Sequence, residues 1–156
     1  MLKTHFVFFI LLLNSTSAKA VDYFAENEAK ISFSTDENHL VEIQFETYIE
    51  NILGFRSKPS NDEENFKWKT LQFKWFKENS NFITLPKSCI IEESEIEYTN
   101  DKRSTLMASV LFQCRGVLKI GDIKYRFFEQ FPDLNSLEVS IIDETVTSKR
   151  IFKKLN

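Results

Sequence analysis

The chain has 156 residues and a formal net charge of −3 at neutral pH, with 16 phenylalanines but only three glycines and three prolines. This length is sufficient for one domain with a sizeable core, and the composition indicates a packed globular protein without a linker. The acidic balance argues against generic binding to nucleic acid or to anionic membranes.

The first twenty residues have the layout of a secretory signal peptide. Lys3 provides a positive start, the apolar run 6–13 is too short to span a bilayer, and Ala-Lys-Ala at 18–20 is an A-x-A cleavage site. A membrane anchor is the alternative reading of this segment. We predict that residues 1–20 are removed and that 21–156 form a single periplasmic domain, which does not insert into the membrane after cleavage. The exported chain then has 18 basic and 23 acidic residues, a net charge of −5.

Apolar and polar residues alternate in several segments, which is the pattern of half-buried β-strands. Segments 29–35 and 39–48 are separated by Asp36, Glu37 and Asn38, which together predict a β-hairpin. In segment 106–114 the alternation also places Cys114 on the inward side. Four further strands are predicted at 90–99, 123–128, 137–142 and, more weakly, 149–155.

One prominent helix is predicted over residues 61–78. Ser60 and Glu63 have the S-x-x-E spacing of a capping box, and the acids at 62–64 suit the positive end of a helix dipole. At about 100° per residue, the apolar residues cover more than half of the circumference, so we expect a broad apolar face that packs on the sheet. A ligand cage is the alternative role for its aromatic residues. The predicted face comprises Phe66, Trp68, Leu71, Phe73, Trp75 and Phe76.

The segment "NILGFRSKP" lies between the second strand and this helix. Gly54 is predicted to end the strand where a side chain would hinder the turn, and Phe55 to point inward. Pro59 is predicted to prevent the strand from continuing. The elements together predict an α+β fold of mostly antiparallel strands with one amphipathic helix.

The chain contains two cysteines, Cys89 and Cys114. Export to an oxidising compartment predicts that they form one disulfide. A reactive thiol is the alternative, although no histidine or cationic cluster is evident that would lower its pKa.

Four phrases in the same order resemble the ZrgA-type family of bacterial periplasmic zinc-uptake accessory proteins. "HLVEIQFETYIENILGFRSKP" at 39–59 is similar to a family strand followed by an N-L-L-G-F-E-H-x-P phrase. "LPKSC" at 85–89 and "FQC" at 112–114 resemble the segments around the family's two cysteines, and "RFFEQFPDLNSLEVS" at 126–140 resembles its L-F-x-x-F-P-x-L phrase. The resemblance covers nearly the whole exported chain and implies a role in zinc uptake.

The chain departs from this family at the positions of its histidines. Family members open with an H-x-H-G-x-A-x-L phrase, whereas "AENEAKI" places Ala25 and Asn27 where histidines are expected. Arg56 and Ser57 replace the Glu-His pair of the glycine phrase, and there is no His-rich insertion. The resemblance therefore implies a divergent member of the family.

The exported chain offers few ligands for zinc, which favours imidazole and thiolate. Its one histidine is His39, and with Asp36 and Glu37 it forms the candidate for a weak metal site; the alternative is a partly exposed strand residue. The residues themselves predict no cofactor, whereas the resemblance implies zinc. No catalytic motif surrounds His39, and no phosphate loop or dinucleotide fingerprint is present, so an enzyme is not predicted.

Two functions remain as hypotheses. The first is a periplasmic accessory role in zinc homeostasis or transport with weak or lost metal binding, in which the partner is a zinc-transporter component. The second is a non-catalytic interaction module that retains the scaffold and binds another envelope protein. Neither hypothesis involves nucleic acid.

Overall fold

The computed structural model describes residues 24–35, 40–115, 123–142 and 147–154. The predicted signal peptide at 1–20 lies outside these ranges, as do the predicted turn at 36–38 and His39, the predicted first residue of the second strand.

Eight strands are present in the described residues, and six of them form the main sheet. The sheet order is fourth, fifth, second, first, seventh, eighth; the third and sixth strands form a separate two-stranded ribbon. In chain order the strands are β1 (Glu28–Thr35), β2 (Leu40–Tyr48), β3 (Ile83–Thr84), β4 (Cys89–Tyr98), β5 (Thr105–Cys114), β6 (Lys124–Tyr125), β7 (Ser136–Ile142) and β8 (Thr147–Lys153).

The main sheet is antiparallel except between β1 and β7, which run parallel. Three α-helices accompany the sheet in the described ranges, and together with the mostly antiparallel sheet they confirm the predicted α+β fold. None of these helices is both long and apolar enough to cross a membrane. The helices are α1 (Glu50–Leu53), α2 (Asp62–Lys77) and α3 (Phe127–Gln130).

Period-two alternation determines which side of the sheet carries the core. Ile31 of β1 lies opposite Phe45 of β2, and Phe33 lies opposite Ile43, with all four side chains buried. The same alternation in β5 buries Cys114, as predicted. Helix α2 and the segment that contains α3 cover this side of the sheet.

Stacked aromatic rings fill the space between the sheet and its cover. Phe45 of β2 stacks on Phe127 of α3, with the ring centroids 4.4 Å apart. Phe82 lies 5.5 Å from Phe131 and 5.3 Å from Trp75 of α2, also between centroids. This cluster connects the sheet, the long helix and the segment after β6 into one core.

The predicted strand at 123–128 is wrong beyond its first residues. Only Lys124 and Tyr125 are in a strand, and the chain then turns into α3. Phe127 and Phe131 are both buried, with their ring centroids 6.2 Å apart. One helical turn allows this approach, whereas four residues of strand span about 13 Å. The other predicted strands agree with the structure to within two residues.

Gly54 is required for a different reason from the one predicted. Strand β2 already ends at Tyr48, and Gly54 follows the short helix α1 as its C-cap with a φ of 78°. A Cβ atom there would meet no atom within 4 Å, so the backbone conformation and not the space favours glycine. Pro59 does not end a strand, whereas Phe55 is buried as predicted.

The N-terminus of α2 is capped one residue later than predicted. Asn61 Oδ1 accepts a hydrogen bond of 2.9 Å from the Glu64 backbone N–H. The Glu64 carboxylate accepts from the backbone N–H and the hydroxyl of Ser60, at 2.7 and 2.8 Å. These bonds, with the Ser60 N–H as the largest cause, lower the pKa of Glu64. Glu63, predicted to belong to the capping box, instead pairs with Lys67 at 2.8 Å.

This capping geometry predicts that Asn61 contributes more to the free energy of unfolding than Ser60 does. Asn61→Ala removes the acceptor for the Glu64 N–H and is expected to cost about 1 kcal/mol of unfolding free energy. Ser60→Ala retains the backbone donor to Glu64 and should cost less. Urea denaturation of both variants measures the difference, and a larger loss for Ser60→Ala would restore the predicted cap.

Helix α2 buries a narrow stripe and not the broad face predicted. Leu71 and Trp75 are buried, and Trp68 is half-buried against Tyr98 at 4.7 Å between ring centroids. Spacings of three and four residues place this stripe on one side of the helix. The prediction is wrong for the other members of the face, which are exposed: Phe66, Phe73 and Phe76.

Candidate metal centre

The predicted metal ligands His39, Asp36 and Glu37 lie in the interval 36–39, outside the described residues. That site remains a prediction. Within the ranges that the structure describes, no three side chains of histidine, cysteine, aspartate and glutamate are grouped so that they could hold a metal ion.

The two cysteines are joined to each other. Cys89 and Cys114 are direct partners in the register of β4 and β5, and their sulfur atoms form a disulfide of 2.06 Å. The predicted pairing is confirmed. A sulfur in this bond is not a thiolate, which is the form that binds zinc or acts as a nucleophile.

The fold brings together the two segments in which the family resemblance places histidines. Asn27, just before β1, and Arg56, just after α1, line one polar cleft of about 340 Å³. Ala25 lies beside it, since its carbonyl accepts a 3.5 Å hydrogen bond from Asn51. We call this the histidine-position cleft, and its lining residues are Glu26, Asn27, Glu50, Asn51, Arg56 and Arg103.

A buried amide fixes the wall of this cleft. Asn51 Oδ1 accepts from the Asn27 N–H at 3.1 Å, where Asn27 has a positive φ of 61°. Asn51 Nδ2 donates to the Glu28 carbonyl at 3.0 Å and to the Thr47 hydroxyl at 3.1 Å. The Thr47 hydroxyl donates in turn to the same Glu28 carbonyl at 2.6 Å. These bonds hold the start of β1 against α1, so the cleft has a well-defined shape.

Two arginines share one carboxylate in the cleft. Arg56 Nε donates to Glu50 Oε2 at 2.7 Å, and Arg103 Nε donates to Glu50 Oε1 at 2.6 Å. The Arg103 guanidinium also lies over the Tyr48 ring, 3.8 Å from its centroid. A metal cation at Glu50 would have to approach two positive groups and compete with both for the same oxygens, which makes cation binding there unfavourable.

The sequence pointed to part of this cleft. Asn27, Arg56 and Ser57 stand out as departures from the family pattern, and Asn51 lies in the glycine phrase. Arg103 was missed, because no sequence motif surrounds it. Backbone hydrogen bonds from Ser104 to Arg56 and from Ile49 to Ser104, at 2.8 and 2.9 Å, hold its loop beside α1.

Comparison with known proteins bears on this geometry. A family model described as "ZrgA family zinc uptake protein" matches residues 25–154. A search of curated proteins finds no match. The family match includes both strands of the disulfide and both segments that line the histidine-position cleft.

Proposed function

Since the chain belongs to the ZrgA family of zinc uptake proteins, we propose that it is a periplasmic accessory protein in zinc uptake that has no tight zinc site of its own. The observation that carries this proposal is the shared Glu50 carboxylate between Arg56 and Arg103. It lies in the same cleft as Asn27, which stands at a position where the family pattern predicts a histidine.

The donor set of the cleft supports weak or lost metal binding. Its carboxylates belong to Glu26 and Glu50, and Glu50 is already engaged by both arginines. Asn27 and Asn51 offer amide oxygens, which are hard ligands that suit calcium or magnesium more than zinc. Tight zinc sites usually converge about three or four histidine or cysteine ligands, which this cleft lacks.

We therefore expect no stoichiometric zinc binding tighter than about micromolar, roughly −8 kcal/mol, near neutral pH with the disulfide intact. Isothermal titration calorimetry of the exported chain measures this directly. Any residual binding should depend on His39, Asp36 and Glu37, so His39→Ala should abolish it. One tightly bound zinc per chain would contradict the proposal.

A gain of binding provides the complementary control. The combined variant Asn27→His, Arg56→Glu, Ser57→His returns family residues to the cleft and to position 57 next to it, and should bind zinc more tightly than the parent. Arg56→Gln removes one cation without adding a strong zinc ligand and should not. If the combined variant gains nothing while remaining folded, the cleft does not correspond to the family's metal site.

Without strong ligands, the protein would act in zinc uptake through a partner, which we propose is a zinc-transporter component or another envelope protein. The second candidate function is a non-catalytic interaction module unrelated to zinc, and the arginine-filled cleft favours it because nothing there requires the metal. Growth of a deletion strain in zinc-limited medium distinguishes the two. A growth defect that added zinc corrects supports the accessory role, and normal growth supports the interaction module.

A further inference from the structure

Helix α2 displays three phenylalanines on the surface of the protein. Phe66, Phe73 and Phe76 are 70%, 57% and 42% exposed. Single exposed apolar residues are ordinary, but several large ones on one helix form a patch that marks an interaction site.

These phenylalanines point away from the core. At about 100° per residue, Phe66 and Phe73 lie opposite the buried stripe that is centred on Trp75, and Phe76 lies one turn beyond Phe73. They form a convex ridge about 15 Å long, because ten residues separate its ends at about 1.5 Å each. The ridge protrudes from the protein, and on one flank Phe66 and Lys74 also line a groove of about 230 Å³ that extends to Phe131.

The same ridge carries positive charge. Between Asn65 and Lys77 the helix has four lysines and no acidic residue. Lys69, Lys74 and Lys77 are exposed, and Lys67 pairs with Glu63 at the N-terminal end. We define the outer face of α2 as Phe66, Lys69, Phe73, Lys74, Phe76 and Lys77.

On the opposite side of the sheet, the half formed by β2, β4 and β5 is acidic. Strands β2, β4 and β5 contain no lysine, arginine or histidine. Alternation places the glutamates of β2 and β4 on the side that faces away from α2, because their sequence neighbours Ile43, Phe45 and Ile96 face the core. We call this set the acidic sheet face: Glu42, Glu46, Glu93, Glu95 and Glu97.

We propose that the outer face of α2 docks on the surface of an anionic phospholipid bilayer. The phenylalanines would enter the interfacial region, and the lysines would contact the phosphate groups. Docking in this orientation turns the acidic sheet face away from the negative surface. The net charge alone disfavours membrane binding, but the separation of the α2 lysines from the glutamates of β2 and β4 orients the molecule with α2 towards the lipid.

A bilayer fits the part of this face that lies outside the groove, which includes Phe73 and Phe76, better than a protein partner does. A convex ridge requires a concave complement in a protein, whereas lipid headgroups rearrange around protruding side chains. An acidic protein groove would be attracted by the same lysines and is the competing occupant. The proposal does not depend on zinc, so its failure and that of the accessory role can be told apart.

The test is co-sedimentation of the exported chain, with its disulfide intact, with vesicles of mixed phosphatidylglycerol and phosphatidylcholine. We expect binding to these vesicles, little binding to pure phosphatidylcholine, and weaker binding as the salt concentration rises. Binding that is equal on both vesicle types, or absent from both, would overturn the proposal. Absence would leave an acidic protein as the remaining occupant.

Variants of the exposed side chains localise the contact. The combined variant Lys69→Gln, Lys74→Gln, Lys77→Gln should lose about a hundredfold in binding, since each lysine near an anionic surface contributes about fivefold. Phe66→Ser with Phe73→Ser should reduce binding at least tenfold, about 1.4 kcal/mol. Ile90→Ser with Ile151→Ser is the matched control, because both isoleucines are 62% exposed on edge strands and neither belongs to the outer face of α2. Thermal unfolding confirms that each variant is folded, and an equal loss in the control would contradict the assigned face.

Discussion

Trp75→Ala is expected to lower the free energy of unfolding by about 3 to 5 kcal/mol, because it truncates the largest fully buried side chain of the described residues. The indole is 1% exposed and packs against Phe82 at 5.3 Å between ring centroids. Its Nε1–H donates to the Ser109 carbonyl at 3.3 Å, which attaches α2 to the centre of β5. Alanine would leave a large cavity and remove this hydrogen bond.

The control for this prediction lies on the same helix. Phe73→Ala removes an aromatic ring of similar size from the exposed side and should change the unfolding free energy by less than about 0.5 kcal/mol. Trp68→Ala should fall between them, because its ring is half-buried against Tyr98. Urea denaturation followed by circular dichroism measures all three. A loss for Phe73→Ala equal to that for Trp75→Ala would mean that the helix packs in another orientation.

Removing the disulfide is the second large effect. The double variant Cys89→Ala, Cys114→Ala is expected to lose about 3 to 4 kcal/mol, because the bond restricts the unfolded chain across a separation of 25 residues. Alanine is preferred to serine at these positions because Cys114 is buried and a hydroxyl there would add its own cost. Denaturation of the oxidised parent and the double variant gives the difference.

Reduction provides an independent check of the same bond. A reductant should destabilise the parent to nearly the level of the double variant and leave the double variant unchanged. Mass spectrometry of the unreduced parent should show a chain lighter by two hydrogens than the dithiol. A parent whose stability does not respond to reductant would contradict the stabilising role of this pair.

The strands were predictable where one face of the sheet is buried. Period-two alternation located β1, β2 and β5 because Ile31, Ile43 and Val110 must share one side. The short helix α3 was not predictable from its own residues. Phe127 and Phe131 acquire their helical turn from contacts with Phe45, which is distant in sequence.

The orientation of α2 shows a second limit of sequence patterns. A periodicity that counts every apolar residue assigns Phe66 and Phe73 to the core together with Trp75. The sheet buries only the stripe of α2 that contains Leu71 and Trp75, and the phenylalanines on the other side of the helix remain exposed to solvent. Disagreement of this kind is expected where a surface is selected for binding and not for packing.

The cleft was only partly predictable for a related reason. Arg56 and Asn27 could be recognised because they replace residues of a family phrase. Glu50 and Arg103 are 53 positions apart, and their contact depends on how the loop before β5 folds back on α1. Local patterns contain no information on such a pairing.

The parallel pairing of β1 with β7 also constrains the order in which the sheet can be completed. Glu28 lies opposite Ser136, so one edge of the first strand has no partner until nearly the whole chain has been synthesised. Contacts of such long sequence separation slow folding, and an open edge beside Ile31 and Phe33 can pair with other chains in the meantime. The sheet is therefore completed from β1 outwards, where β7 and β8 add as its last two strands. In a chain cut short before β7, one edge of β1 would have no partner. Quality control in the cell would then meet a sheet with an open edge and not a shortened but intact domain.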